Sequence, residues 1–221
     1  MSWPDRDEDG FGPDDLVRLT GVSRETLERI RRYLALLDTW RERINLIGPG
    51  EGRHLWRRHV LDSVQLLEQI FPGDQMIADL GSGAGFPGVI LACALADREG
   101  VSVTLVEKSP RKSEFLEAAS REVGLPVTVL NVRIEEGKPK AAGPGYDLVT
   151  ARALAPLPKL LGFAASWLKP SGKALLMKGR DTAAELAEAR AIWDFEMTQR
   201  ESLSSPEGRV LSVSSLRPRR A

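Results

Sequence analysis

From residue 74 onward the sequence predicts a doubly wound α/β domain, and the residues before it predict a helical extension. Three observations carry this reading. Short apolar runs alternate with amphipathic stretches in a βαβα rhythm. The first run, Met76–Leu80, opens into Gly81-Ser82-Gly83-Ala84-Gly85-Phe86-Pro87-Gly88, a strand-to-helix turn of the kind that receives nucleotides in such sheets. Two closing runs, 195–200 and 209–213, flank Ser204-Ser205-Pro206-Glu207-Gly208 and read as an antiparallel hairpin.

Taken in order, residues 1–12 are acidic and lack apolar periodicity, which predicts a disordered segment. Residues 13–73 form the extension. A short helix over 13–19 closes at Gly21. Ser23 then caps a long helix that carries Leu27, Ile30, Leu34, Leu37 and Ile44 along one face and breaks at Gly48-Pro49-Gly50. A second amphipathic helix over 55–71 ends at Pro72-Gly73. The core, 74–221, continues with strand Met76–Leu80, a helix from Pro87, strand Ser102–Val106, helix Pro110–Val123 closed by Gly124, and strand 127–131. Strand 146–150, helix 157–168, the turn Lys169-Pro170-Ser171-Gly172, strand 173–178 and helix Thr182–Ile192 lead to the hairpin. The parallel strands require right-handed crossovers, so the ligand crevice falls at their C-terminal ends.

Composition sets further bounds. A chain of 221 residues, 42% hydrophobic and 28% charged, suffices for one buried domain and a modest extension. The single cysteine, Cys93, lies in an apolar helix, which excludes an intrachain disulfide and suits a reducing compartment. No apolar run approaches the ~18 residues of a membrane span, and the acidic N-terminus is unlike a signal peptide. A cytoplasmic monomer is expected. Net charge is zero, but it is unevenly spread. Residues 29–58 hold Arg29, Arg31, Arg32, Arg41, Arg43, Arg53, Arg57 and Arg58 against Asp38, Glu42 and Glu51, a local excess that suits a polyanion or merely a solvated helix face.

The glycine loop admits two cofactors at this stage. Gly83 to Gly88 satisfies the G-x-G-x-x-G string of dinucleotide binders. However, the glycines begin at Gly81, two residues after Asp79, a phase like the first motif of S-adenosylmethionine methyltransferases, whose cofactor carries an ammonium that an acid can meet. Glu107, ending the second strand, is placed to accept a ribose diol, which both cofactors offer. Ile134, after the third strand, can frame an adenine. Arg152, Lys178 and Arg180 follow the next strands on the same rim and suit a carboxylate, a base or RNA phosphates. The two histidines, His54 and His59, do not form a zinc pattern with Cys93, so no metal site is expected. P-loop and nucleophile-elbow patterns are also missing from the sequence.

The blocks Ile44-Asn45-Leu46, His59-Val60-Leu61-Asp62-Ser63, the loop from Asp79 to Gly88, Arg133-Ile134-Glu135-Glu136, Thr150-Ala151-Arg152-Ala153 and Lys178-Gly179 resemble the RsmG (GidB) family. Its members are bacterial guanine-N7 methyltransferases of 16S ribosomal RNA in the small subunit. The resemblance implies a class I SAM-dependent methyltransferase fold, a Rossmann-like doubly wound, seven-stranded mixed sheet with a helical N-terminal extension. It implies S-adenosylmethionine as cofactor, held by Gly81, Phe86, Ile134, Glu135 and Arg152, with Gly83, Gly85 and Glu107 completing the site. RNA contacts are expected from Arg57, Arg58, Arg152, Lys178 and Arg180. Asn45, His59 and Asp62 are candidate organisers of the substrate base or of the loop. Guanine N7 bears an in-plane lone pair and no proton, so transfer needs alignment and no general base. Two other readings share some of these features: a cofactor-binding module that binds RNA without transfer, and an NAD(P)-dependent oxidoreductase.

Overall fold

In the computed structural model, the structure describes residues 3, 5–48, 50–138, 143–180 and 182–219. Five parallel strands, β1 (Met76–Leu80), β2 (Ser102–Val106), β3 (Val127–Leu130), β4 (Tyr146–Arg152) and β5 (Leu168–Lys178), are followed by β6 (Trp193–Glu201) and β7 (Arg209–Pro218). The sheet runs β3-β2-β1-β4-β5-β7-β6, with β7 antiparallel to both neighbours. Chain order reverses at β1, which pairs with β2 on one side and β4 on the other. The crevice above β1 is therefore the switch point where this architecture binds ligands.

The extension comprises α1 (Pro13–Thr20), α2 (Arg24–Trp40) and a compound segment ending in α3 (Asp62–Val64). Helices α4 (Gly88–Leu95) and α5 (Pro110–Val123) lie on the same side of the sheet as the extension. They share one core, in which Leu16, Ile30, Tyr33 and Leu37 join Leu61, Leu91, Phe115 and Leu116. The extension is thus not an independent hydrophobic unit. On the opposite face α6 (Leu157–Trp167) and α7 (Thr182–Ile192) bury Leu160, Leu161, Trp167 and Ala189 against β4, β5 and β7.

Four local features differ from the sequence reading. The turn expected at Lys169-Pro170-Ser171-Gly172 lies inside β5, which already pairs with Tyr146 at Leu168 and takes up the extra residues in a register shift before Lys173 meets Leu148. Residues 5–12, expected to be disordered, are anchored by Asp7, 5% exposed, whose carboxylate accepts the N–H groups of Trp56 (3.0 Å) and Arg57 (2.8 Å). Composition gave no sign that one of these acids would be buried as a backbone cap; residues 1, 2 and 4 of that segment lie outside the described residues. The long helix stops at Trp40, where its last turn tightens: Arg43 and Ile44 both donate to the Trp40 carbonyl, turning the chain so that Leu46 enters the core. The helix expected over 55–71 is instead a succession of windings. A 3₁₀ turn at Glu51–His54 precedes π turns over Trp56–Leu61, and α3 is followed by a 3₁₀ turn at Gln65–Gln69. Trp56, His59, Val60, Leu61, Ser63 and Val64 are all buried, so this segment is packed around most of its circumference, and amphipathic spacing could not report its pitch.

Candidate active site

The glycine loop is stitched to β2 by backbone geometry. Gly81 and Ser82 both donate to the Val106 carbonyl, at 2.8 and 3.0 Å. One step on, the Glu107 carboxylate accepts the Gly83 N–H at 3.0 Å and the Ser109 N–H at 2.8 Å. Glu107 is itself 7% exposed and fixed by its N–H to the Leu130 carbonyl. Gly83 has φ +56° and nothing nearer than 3.7 Å to a Cβ built on it, so bare backbone faces open space there. Gly85, at φ +102°, is different, because a Cβ would meet Val89 at 2.6 Å and the Tyr33 hydroxyl at 3.0 Å. Tyr33 of α2 donates to the Ala84 carbonyl, so the extension also holds this loop.

Asp79 shapes the loop from beneath. Its carboxylate accepts the Thr150 hydroxyl at 2.8 Å and the Gly88 N–H at 3.2 Å, and it is 1% exposed. Burial pushes its pKa up to about 6 despite these hydrogen bonds, the Ser82 contact and the Arg152 charge. The acid before the first glycine is accordingly an internal organiser, and its oxygens are already engaged where the sequence reading had it meet an ammonium.

These residues fit S-adenosylmethionine. Each Glu107 oxygen uses one lone-pair position on a backbone N–H and retains another, enough for a ribose diol. Ile134, 8% exposed, presents an apolar side chain beyond β3, and Glu135 beside it is exposed. The open backbone at Gly83 lies on the same crevice.

Opposite the loop, the π-wound segment delivers His59 onto Phe86. The rings stack with centroids 4.9 Å apart, and the Arg152 guanidinium lies 5.5 Å from the Phe86 centroid. Arg152 donates to His59 Nδ1 (2.6 Å), to the Arg58 carbonyl (2.9 Å) and, at 3.4 Å, to Asp62. Because a guanidinium only donates, Nδ1 is the acceptor and the imidazole proton sits on Nε2. Burial, reinforced by Arg152 and Arg58, lowers the His59 pKa to about 3, so the ring is neutral.

Beside this cluster opens a cavity of about 770 Å³, walled by Arg152, Met177 and Lys178 at the ends of β4 and β5, by Glu51 and Asp62 of the extension, and by the β6–β7 loop. Asp62 ties the extension to that loop. One of its oxygens accepts Gln65 Nε2 (2.8 Å) and the hydroxyls of Ser202 (3.1 Å) and Ser204 (2.6 Å).

The sequence-predicted residues thus separate by role. His59, Phe86 and Arg152 meet, and Asp62 joins them through Arg152. Asn45 is exposed in the connection after α2 and lies away from the cavity wall. Among the cations, Arg57 pairs with Asp9 at 2.6 Å and covers the Phe11 ring, while Lys178 is held by Glu185 at 2.7 Å. Arg58 and Arg180 remain largely exposed at the rim, although Arg180 reaches Glu207 at 3.0 Å. Glu51, Ser202 and Ser204 were not anticipated. Some 140 residues separate Asp62 from the two serines, and no local pattern announces the contact.

Among the described residues, no group of three or more His, Cys, Asp or Glu side chains is placed to hold a metal, and no helix is long and apolar enough to cross a membrane. A sheet of this order, with a glycine loop after β1 and an acid closing β2, defines a class I SAM-dependent methyltransferase. The fold is similar to that of the SAM-dependent O-methyltransferase from Thermotoga maritima, with a TM-score of 0.55 and 15% identity over 84% of this chain and 73% of that one. Sequence comparison goes further. Residues 26–211 match the family described as rRNA small subunit methyltransferase G, or GidB. The chain is 47% identical to the ribosomal RNA small subunit methyltransferase G of Paramagnetospirillum magneticum over 203 residues, covering 92% of this chain and 95% of that protein. It is 46% identical to the protein of the same name from Bradyrhizobium sp. strain BTAi1 over 197 residues, covering 89% and 88%. This chain belongs to the rRNA small subunit methyltransferase G family.

Proposed function

We propose that this protein methylates N7 of a guanine in 16S ribosomal RNA, as a cytoplasmic monomer and without a general base. When bound, S-adenosylmethionine supplies an electrophilic methyl group. The protein's own residues then have to position the base and keep it aligned.

The observation that carries this reading is the state of the ionisable groups at the crevice. His59 spends its basic nitrogen on Arg152 and is neutral down to about pH 3, and Asp79 is buried under Thr150 and Gly88. Neither is available to remove a proton from a substrate. Guanine N7 has a lone pair in the ring plane and no proton to lose, so a site whose buried His59 and Asp79 are both engaged suits it. Holding N7 in line with the methyl carbon can account for ~7–11 kcal/mol of barrier lowering. The rigid cluster of His59, Phe86 and Arg152, bonded to both extension and loop, supports such alignment. Exposed Arg58 and Arg180 suit phosphate contacts that set the register of the RNA.

Transfer of radiolabelled methyl groups to purified small subunits and to naked 16S RNA, followed by chemical cleavage at 7-methylguanine, tests the proposal. One labelled guanine is expected. Label at another atom, on a ribose or on a protein would overturn it.

A further inference from the structure

Three carboxylates line the cavity beside Arg152, and they differ in how fully they are used. One Asp62 oxygen accepts hydrogen bonds from Gln65, Ser202 and Ser204, and the other faces the Arg152 guanidinium at 3.4 Å. Glu207 pairs with Arg180 at 3.0 Å on the exposed rim. Glu51, in the 3₁₀ turn at Glu51–His54, is only loosely held among the described residues: it accepts the Gly48 N–H at 3.4 Å, and the Arg58 guanidinium stands 3.9 Å away, beyond hydrogen-bond reach. The His59 Nε2 lies 3.3 Å away but is not aligned for a hydrogen bond. That nitrogen is the buried side-chain polar atom left without a partner among the described residues, on a residue 4% exposed. An under-committed carboxylate and an unspent N–H therefore stand side by side on the cavity wall.

We infer that Glu51 is a specificity-determining residue that reads the Watson–Crick edge of the target guanine, accepting its N1–H and 2-amino hydrogens. This rests on the proposed N7 chemistry. A guanine shows two parallel donors on that edge, N1–H and the 2-amino group, which match a carboxylate, while N7 lies on the neighbouring edge beyond O6. Enzymes that act on an extruded base read it by hydrogen bonds to its Watson–Crick edge. An arginine fork on O6 and N7, the common way to hold guanine, would occupy the lone pair that must form the new bond. Glu51 instead engages the base through its donors and leaves the N7 lone pair free, in a cavity whose Arg152 wall borders the glycine loop through Phe86.

The same contact tightens during the reaction. Methylation makes the purine cationic and N1–H more acidic, so its hydrogen bond to the carboxylate strengthens as charge develops, and no proton has to move. Interactions that grow between ground and transition state are those that raise rate. Adenine would place an acceptor, N1, against the Glu51 carboxylate, two lone pairs facing each other with no proton between them, and would be disfavoured.

The test is a cycle between residue and base. Full-length protein and its Glu51→Gln and Glu51→Ala variants are assayed on small-subunit RNA with either guanosine or inosine, which lacks the 2-amino group, at the methylated position. Wild type is expected to prefer guanosine by about ten-fold to a hundred-fold in kcat/KM, the size of one hydrogen bond to a charged group. Glu51→Gln should lose at least ten-fold on guanosine, discriminate the two bases by less than two-fold, and bind S-adenosylmethionine as wild type does by calorimetry. Undiminished discrimination in either variant, or wild-type turnover by Glu51→Gln, would overturn the inference. So would loss of cofactor binding in both variants, which would make Glu51 structural. Failure of the N7 reading is separately visible, because wild type would then yield no 7-methylguanine on the guanosine substrate.

Discussion

His59 and Phe86 lie stacked at 4.9 Å, and this contact joins the helical extension to the cofactor loop. The two residues come from segments with different origins in the fold, one from a π-wound turn and one from the strand-to-helix loop of β1. Arg152 fastens both, donating to the imidazole and lying over the phenyl ring. A shift of the extension is therefore felt at the residue that borders the crevice.

His59→Ala should leave one arm of the Arg152 guanidinium without its acceptor, the other still bonded to the Arg58 carbonyl, and remove one face of the stack. A loss of about 1–3 kcal/mol in stability is expected from the unpaired donor, together with weaker methyl transfer. The pH behaviour is more specific. With its pKa lowered from 6.5 to about 3 by burial and by Arg152, the folded ring stays neutral where the unfolded ring protonates. Its contribution to stability is present above pH 6.5 and falls as pH drops from 6.5 toward 3. An NMR titration of wild type should show one histidine, His59, unmoved between pH 5 and 8. A normal titration curve would contradict the buried, neutral assignment.

Asp79 carries the opposite sign. Its folded pKa, about 6, exceeds the usual 3.8, so the native state holds the proton longer than the unfolded chain does. This group's contribution is greatest below pH 3.8 and is lost as pH rises through 6, by about 3 kcal/mol for a displacement of two pH units. Asp79→Asn cannot titrate and also turns an amide toward the Gly88 N–H or the Thr150 hydroxyl, so its absolute stability should be lower. What separates the two proteins is the slope. Urea melts from pH 4 to 7 should show wild type losing stability relative to Asp79→Asn, and parallel curves would show that Asp79 ionises normally.

Much of the core was legible because its signals are local. Met76–Leu80, Ser102–Val106 and Pro110–Val123 have the bounds that apolar runs, a proline at a helix start and Gly124 at its end predict. The glycine loop and Glu107 fall on adjacent strand ends because the topology requires it. The extension was less legible. Asp7, Tyr33 and His59 act through contacts with distant backbone or rings, and the π winding that turns His59 toward Phe86 has no periodic signature in a segment buried on most sides. Arg57 and Lys178 illustrate the same limit among charges, since sequence gives a sign but not the carboxylate that answers it.

The loop glycines should respond differently to substitution. Gly83→Val puts a branched side chain into open crevice at φ +56°, which costs about 1–2 kcal/mol of backbone strain and obstructs the cofactor's path. The expected variant is folded and does not bind S-adenosylmethionine. Gly85→Ala adds a clash with Val89 and the Tyr33 hydroxyl to a backbone at φ +102°, so it should unfold at a markedly lower temperature. Melting curves and calorimetry on both variants check this ordering, and unchanged cofactor affinity in folded Gly83→Val would remove the loop from the binding site.

The basic residues of the rim yield the last prediction. Arg57 is already neutralised by Asp9 at 2.6 Å and packs on Phe11, whereas the Arg58 side chain is 57% exposed and approaches Glu51 no nearer than 3.9 Å. Arg180, 77% exposed, has only a surface partner in Glu207, and exposed ion pairs of that kind contribute ~0–1 kcal/mol, little resistance to exchange for a phosphate. Arg58→Ala with Arg180→Ala should therefore weaken RNA binding and reduce the slope of log affinity against log salt by roughly 0.7–0.9 for each contact removed. Arg57→Ala should change that slope less, because its charge is answered within the chain. Cofactor affinity should stay constant in all three, since phosphate contacts position the RNA without touching the cofactor. If Arg57→Ala flattens the slope as much as the other two, the Asp9 pair must open on RNA binding, and the acidic segment before α1 would then compete with the RNA for the same cation.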